Sequence, residues 1–249
     1  MTRIVLISVI SLWLFVIPLN AGKTVDPPII EMPVTDAKYD FFVVLLSGDG
    51  GWTAINKHLS SRICDAGIPV VGFNSLKYFL KRHPPDNAST ELDGIITRYR
   101  QKWHLDGAVL MGYSFGADVL PFMVTRLPGT TSGTIRQLVF ICLSSFAEFQ
   151  FHFTDWFTSS PGDSSWPVLP EIEKLKGIPM LYFYGTDEKE NLSAEIDHDA
   201  VRVIPLKGDH HFDGKYRPLA DSILTSITGQ YDNQKMRRKK GHSSDSQQQ

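Results

Sequence analysis

The sequence predicts an α/β fold, a mainly parallel sheet covered by helices on both faces. Three observations predict it. Apolar runs at 41–46, 68–73, 108–113, 137–143, 178–184 and 201–205 alternate with segments whose apolar residues recur at helical spacing. The runs are nearly continuous rather than alternating, as in strands buried on both faces. Finally, the run at 108–111 leads straight into Gly112-Tyr113-Ser114-Phe115-Gly116, and helix-friendly residues follow to Arg126.

The elements follow in order. After a Pro-rich lead-in (Pro27, Pro28, Pro33), the run at 41–46 ends in Ser47-Gly48-Asp49-Gly50-Gly51, a strand followed by a tight loop. Trp52, Ile55, Leu59 and Ile63 then mark a helix that Gly67 stops. A strand at 68–73 follows. Residues 75–85 read as irregular, with Pro84-Pro85 excluding helix. A helix is expected over 90–103, with Leu92, Ile95, Ile96 and Tyr99 on its inner side. Strand 108–113 and helix 116–126 flank the serine. Strands 137–143, 178–184 and 201–205 come next, and a last helix over about 216–227.

The 249 residues suffice for one sizeable domain, and the 42% hydrophobic and 21% charged content is that of a globular protein. The formal net charge is −2, but Lys235, Arg237, Arg238, Lys239 and Lys240 crowd one end, so the body is acidic. That argues against direct nucleic-acid binding by the fold. Arg3, the apolar stretch 4–17, Pro18 and the small residues Ala21 and Gly22 read as an export signal over 1–22. The folded domain is then 23–231. The tail 232–249, basic and then Ser/Gln-rich, reads as disordered. Cys64 and Cys142 fall in helical and strand patterns and are expected as buried free thiols, and no Cys or His spacing suggests a metal. No cofactor motif is present: the 47–51 loop lacks the Gly-Lys-Ser/Thr of a phosphate cradle.

Gly-x-Ser-x-Gly between a strand and a helix has the context of a nucleophile elbow, the signature of the α/β-hydrolase fold, here with minimal or no cap. Ser114 is the expected nucleophile. In that fold an acid and then a histidine follow the serine. Asp187, nearest the end of the strand in Gly185-Thr186-Asp187-Glu188, is the expected acid, with Glu188 second. The base is His210 or its neighbour His211, in the loop after the last strand. The Phe115 N–H and that of Asp49 or Gly50 are the expected oxyanion donors. Asp49, Trp52 and Tyr113 are assigned to substrate contact. Asp118, just past the elbow, is expected to favour the helix N-terminus. The segment 146–157, with Phe149, Phe151, Phe153, Trp156 and Phe157, reads either as core or as an acyl-chain groove.

Ser-Gly-Asp-Gly-Gly-Trp at 47–52, Gly-Tyr-Ser-Phe-Gly-Ala-Asp at 112–118, Tyr-Gly-Thr-Asp-Glu at 184–188 and Gly-Asp-His-His-Phe-Asp-Gly at 208–214 resemble the VirJ/AcvB family of bacterial virulence proteins. The resemblance implies a periplasmic serine hydrolase that cleaves the aminoacyl ester of lysyl-phosphatidylglycerol, a membrane phospholipid. It also implies a role in type IV secretion-dependent DNA transfer, with secretion components as partners. On these motifs the family's serine falls on Ser114, its acid on Asp187 and its histidine on the 210–211 pair.

Overall fold

The computed structural model describes residues 28–151 and 165–245. The expected export signal, along with Phe153, Trp156 and Phe157, lies outside the described residues. Strands β1 (Ile29–Met32), β2 (Phe41–Leu46), β3 (Val70–Phe73), β4 (Gly107–Tyr113), β5 (Ile135–Ile141), β8 (Met180–Gly185) and β9 (Val201–Leu206) form one sheet in the order β1-β3-β2-β4-β5-β8-β9. Every neighbouring pair is parallel except β1 with β3. The antiparallel β1, not anticipated from the sequence, covers the edge of β3.

Both faces of the sheet are buried, and β2 shows why its apolar run is unbroken. Phe42, Val44 and Leu46 face one core, and Phe41, Val43 and Leu45 face the other. The first core is closed by α3 (Pro85–Trp103) and α4 (Phe115–Val124), through Leu92, Ile96 and Leu120. The second is closed by α1 (Ala54–Asp65) and α7 (Tyr216–Asp245), through Leu59, Ile63, Leu219 and Ile223. Each such buried side chain contributes roughly 1.5–3 kcal/mol.

Local differences from the sequence reading have local causes. Residues 75–79 are helical (α2, Ser75–Phe79), because the Asn74 side chain accepts the Lys77 N–H as a cap. Pro85 opens α3 rather than excluding it, since the first helical position needs no N–H and suits proline's fixed φ. The last helix runs past 227 into the basic segment, which is rich in the good helix formers Lys, Arg and Gln.

Between β5 and β8 the described residues add one short hairpin and one short helix. β6 (Phe146–Ala147) pairs with β7 (Trp166–Pro167), and α6 (Leu169–Glu173) leads back to the sheet. A four-residue helix, α5 (Gly129–Ser132), joins α4 to β5. None of these builds a cap domain over the sheet.

Candidate active site

Ser114 stands where β4 turns into α4, with φ 52 and ψ −126. This left-handed strain for a non-glycine residue is held by its surroundings. The Ser114 N–H donates to Ile141 O at 2.8 Å, and Ser114 O accepts the Ala117 N–H at 2.6 Å. The two motif glycines are steric requirements. A Cβ at Gly112 would lie 2.4 Å from Gly116 O, and one at Gly116 would lie 2.5 Å from Ser47 O. The turn closes only because neither residue has a side chain.

His210 Nε2 lies 2.9 Å from Ser114 Oγ, and His210 Nδ1 is hydrogen-bonded to Glu188 Oε1. The acid in this array is therefore Glu188 and not Asp187, which corrects the first choice made from the sequence. Backbone geometry explains it. The β8–β9 ladder continues as Thr186 N–H to Leu206 O and Asp187 N–H to Gly208 O, both at 2.8–2.9 Å, which leaves the Asp187 side chain exposed. The Glu188 N–H then returns to Gly185 O at 3.0 Å, a turn that swings Glu188 beneath the histidine loop. The Glu188 side chain is 6% exposed. Burial pulls the His210 imidazole down, but the hydrogen bond and charge of Glu188 outweigh it, and the net shift is upward.

His211 points away from the serine. Its Nδ1 is 2.6 Å from Tyr113 Oη, which accepts from it while the phenol O–H donates to His210 O at 3.3 Å. Tyr113 is 4% exposed, so it holds the histidine loop from below and is not available to substrate. Asp209 has no assigned role in the sequence reading; its Oδ1 accepts the N–H groups of His211 and Asp213 at 2.8 and 3.1 Å. Those N–H groups hold its carboxyl below the usual range. Gly185 admits this loop to the end of β8, since a Cβ there would lie 2.2 Å from Asp209 O.

The loop after β2 lies directly on the nucleophile: a Cβ at Gly48 would be 3.3 Å from Ser114 Cβ. Buried Ser47 pins it, accepting the Ser75 N–H at 3.0 Å and donating to Gly48 O at 3.2 Å. The Gly50 N–H is taken by Asp49 Oδ1 at 2.8 Å, so Gly50 is not a free donor. The N–H groups of Asp49 and Phe115 enter no hydrogen bond among the described residues. They remain the pair suited to an oxyanion. Trp52 lies across Gly72 of β3, where a Cβ would come within 2.4 Å of its ring. It packs against the second core and stays half-buried.

Asp118 is buried and accepts the Ser144 N–H at 2.7 Å, tying α4 to the end of β5. Burial raises its pKa to about 7, the reverse of what a helix N-terminus alone would do. The Phe115 ring meets Phe151 and Phe79 at centroid distances of 4.3 and 5.2 Å, and Phe79 meets the buried Phe149 at 5.9 Å. The described part of the 146–157 segment is thus packed core beside the serine, while Phe146 and Trp166 stay exposed at its outer edge.

Cys142 Sγ, a Glu188 oxygen and a His210 ring nitrogen lie within 4.8 Å of one another, the one cluster of metal-ligating type among the described residues. Their chemistry does not suit a metal. The inner imidazole nitrogen is already bonded to the carboxylate, and burial pushes the thiol far up, so it stays protonated. Both cysteines are free thiols. Cys142 is buried and Cys64 is half-buried.

A strained serine at a strand–helix turn, a histidine on its Oγ and a carboxylate behind the histidine, on a parallel sheet of this order, define the α/β-hydrolase class. Solved structures agree on the fold. The chain superimposes on MenH from S. aureus with TM-score 0.58 (14% identity, 81% of this chain and 98% of that one). It matches carboxylesterase CesB from Bacillus subtilis at 0.55 (13%, 81% and 87%). It also matches a serine hydrolase without a lid from Xanthomonas campestris at 0.50 (16%, 83% and 92%). No curated protein matches the chain in sequence. Residues 40–231 match the family model of the bacterial virulence protein VirJ, and the chain belongs to that family.

Proposed function

We propose that this chain is a serine hydrolase that cleaves the aminoacyl ester of lysyl-phosphatidylglycerol to lysine and phosphatidylglycerol. The single observation that carries the hydrolase reading is Ser114 Oγ, 2.9 Å from His210 Nε2, with Glu188 on the far nitrogen. His210 takes the Ser114 proton as Oγ attacks the lysyl carbonyl, and Glu188 stabilises the imidazolium. The N–H groups of Phe115 and Asp49 receive the oxyanion, worth about 3 kcal/mol each in such sites. His210 returns the proton to the departing glycerol oxygen, leaving a lysyl ester on Ser114. Water, activated by the same imidazole, then releases lysine and frees the serine.

Family membership and the charge around the serine support the substrate. Asp49 is exposed on the loop that touches Ser114, and it acts on His210 through its charge. Its carboxylate can face the lysyl ammonium while its backbone serves the oxyanion. Export to the periplasm, and an effect on type IV secretion exerted through membrane lipid composition, complete this reading. A general carboxylesterase is the second reading, favoured by the absence of a cap domain among the described residues, which leaves the site open to varied esters.

Purified protein with liposomes containing lysyl-phosphatidylglycerol tests the proposal. Lysine release by the native chain and none by Ser114→Ala is expected. Release of alcohol from neutral short-chain esters without release of lysine would favour the second reading.

A further inference from the structure

The Glu188 carboxylate has two oxygens, and His210 uses one. Oε1 bonds to Nδ1; Oε2 is buried and meets no hydrogen-bond partner. A buried carboxylate oxygen left without a donor costs free energy. One polar side chain sits beside this carboxylate. Cys142 Sγ lies within 4.8 Å of a Glu188 oxygen and of a His210 ring nitrogen. The thiol also donates to His210 O at 3.4 Å, a carbonyl that Tyr113 Oη already serves at 3.3 Å. With His211 Nδ1–H donating to Tyr113 Oη, the phenol proton stays on that carbonyl, and the S–H can turn to the carboxylate without orphaning it.

The backbone at this position is unusual as well. Cys142 follows β5 with φ 56, a left-handed value that a non-glycine residue adopts at a cost. Its N–H is held by Phe183 O at 2.8 Å, and its side chain is completely buried. A glycine would relieve the strain, yet the chain places a thiol there, under the acid of the site.

We propose that Cys142 is a positioning residue of the Ser114–His210–Glu188 array, its S–H supplying the enclosed oxygen of Glu188 with a donor. The inference rests on the hydrolase reading only for its kinetic consequence. With the donor present, part of the carboxylate's charge is satisfied from below, so Glu188 draws less on the imidazolium. Without it, Glu188 leans more on His210 and the imidazole becomes more basic. Cys142 thus keeps the base deprotonated nearer neutrality, without touching substrate.

Three variants separate donation from packing. Cys142→Ala and Cys142→Gly lack a donor; Cys142→Ser restores one at nearly the volume of alanine. Glycine also suits the left-handed φ, which guards the panel against a variant that fails to fold. The His210 imidazole is titrated by NMR in the whole chain, its resonance assigned by its loss in His210→Gln. The midpoint should rise by about half a pH unit in Cys142→Ala and Cys142→Gly and return to the native value in Cys142→Ser. On a p-nitrophenyl ester at pH 6, kcat should fall about threefold in the first two and not in the third, with KM little changed. Equal midpoints in all three variants, shifted or not, would overturn the proposal and leave Cys142 a packing residue. The titration needs no substrate, so a chain that turns over no ester defeats the hydrolase reading while the titration still decides this one.

Discussion

Glu188 accepts a hydrogen bond from His210 Nδ1 while Asp187, its neighbour, faces solvent. The two carboxylates follow the same strand end and differ by one residue and one methylene. What separates them is the β8–β9 ladder, which runs on to Asp187, and the turn back to Gly185 O, which buries Glu188. The position of the acid is a property of that turn.

Activity should follow the protonation of His210. The base works only when neutral, and His210 titrates above the ordinary histidine value. Activity should therefore fall on acidification with a midpoint above 6.5, the usual value of an unperturbed histidine. A pH profile of kcat/KM checks this; an acid limb below pH 6 would show that Glu188 does not act on His210.

Stability should move the other way. His210 and Asp118 both have folded-state pKa values above those of the unfolded chain, Asp118 at about 7. The folded state then holds extra protons, so this contribution is complete below the unfolded values. It is lost as pH rises through the folded ones. For Asp118 the window is about pH 4 to 7, and each unit of displacement corresponds to about 1.4 kcal/mol. Melting temperatures should decline from pH 5 to pH 8, and Asp118→Asn, which can still accept the Ser144 N–H, should flatten that decline.

Gly116→Ala should remove the elbow. The new Cβ would lie 2.5 Å from Ser47 O and 2.7 Å from Leu46 O, both backbone atoms with little room to yield. A loss of about 3 kcal/mol is expected, read as a fall of about 6–12 °C in a melt, together with loss of activity. Gly129→Ala, which meets nothing within 4 Å, is the matched control.

Asp49→Asn should change selectivity. Removing the exposed carboxylate beside the serine leaves the ammonium of a lysyl ester without its counter-charge. The ratio of kcat/KM for charged over neutral acyl groups should fall about fivefold, the worth of one partly solvated ion pair. Raising the salt concentration should shrink the same ratio in the native chain.

Much of this was legible in the residues. Continuous apolar runs revealed the parallel strands because both faces are buried. Gly112 and Gly116 revealed the elbow because close backbone contact forbids any Cβ. The order of serine, acid and histidine followed from the fold class. Three things were not legible. The edge strand β1 is only four residues long and its pairing with β3 is a long-range contact. The choice between Asp187 and Glu188, and between His210 and His211, depends on where a turn and a ladder end. The supporting contacts of Tyr113 and Cys142 join segments far apart in the chain, with no local spacing to mark them.

The most direct test of the array is the rate at which a serine-directed fluorophosphonate labels the chain, since it needs no knowledge of the substrate. Ser114→Ala should not label. Glu188→Gln, which leaves the wrong partner on Nδ1, should slow labelling by at least about a hundredfold, and Asp187→Asn should stay within about threefold of the native rate. Slow labelling of Asp187→Asn beside a native rate for Glu188→Gln would contradict the account and return the acid to Asp187.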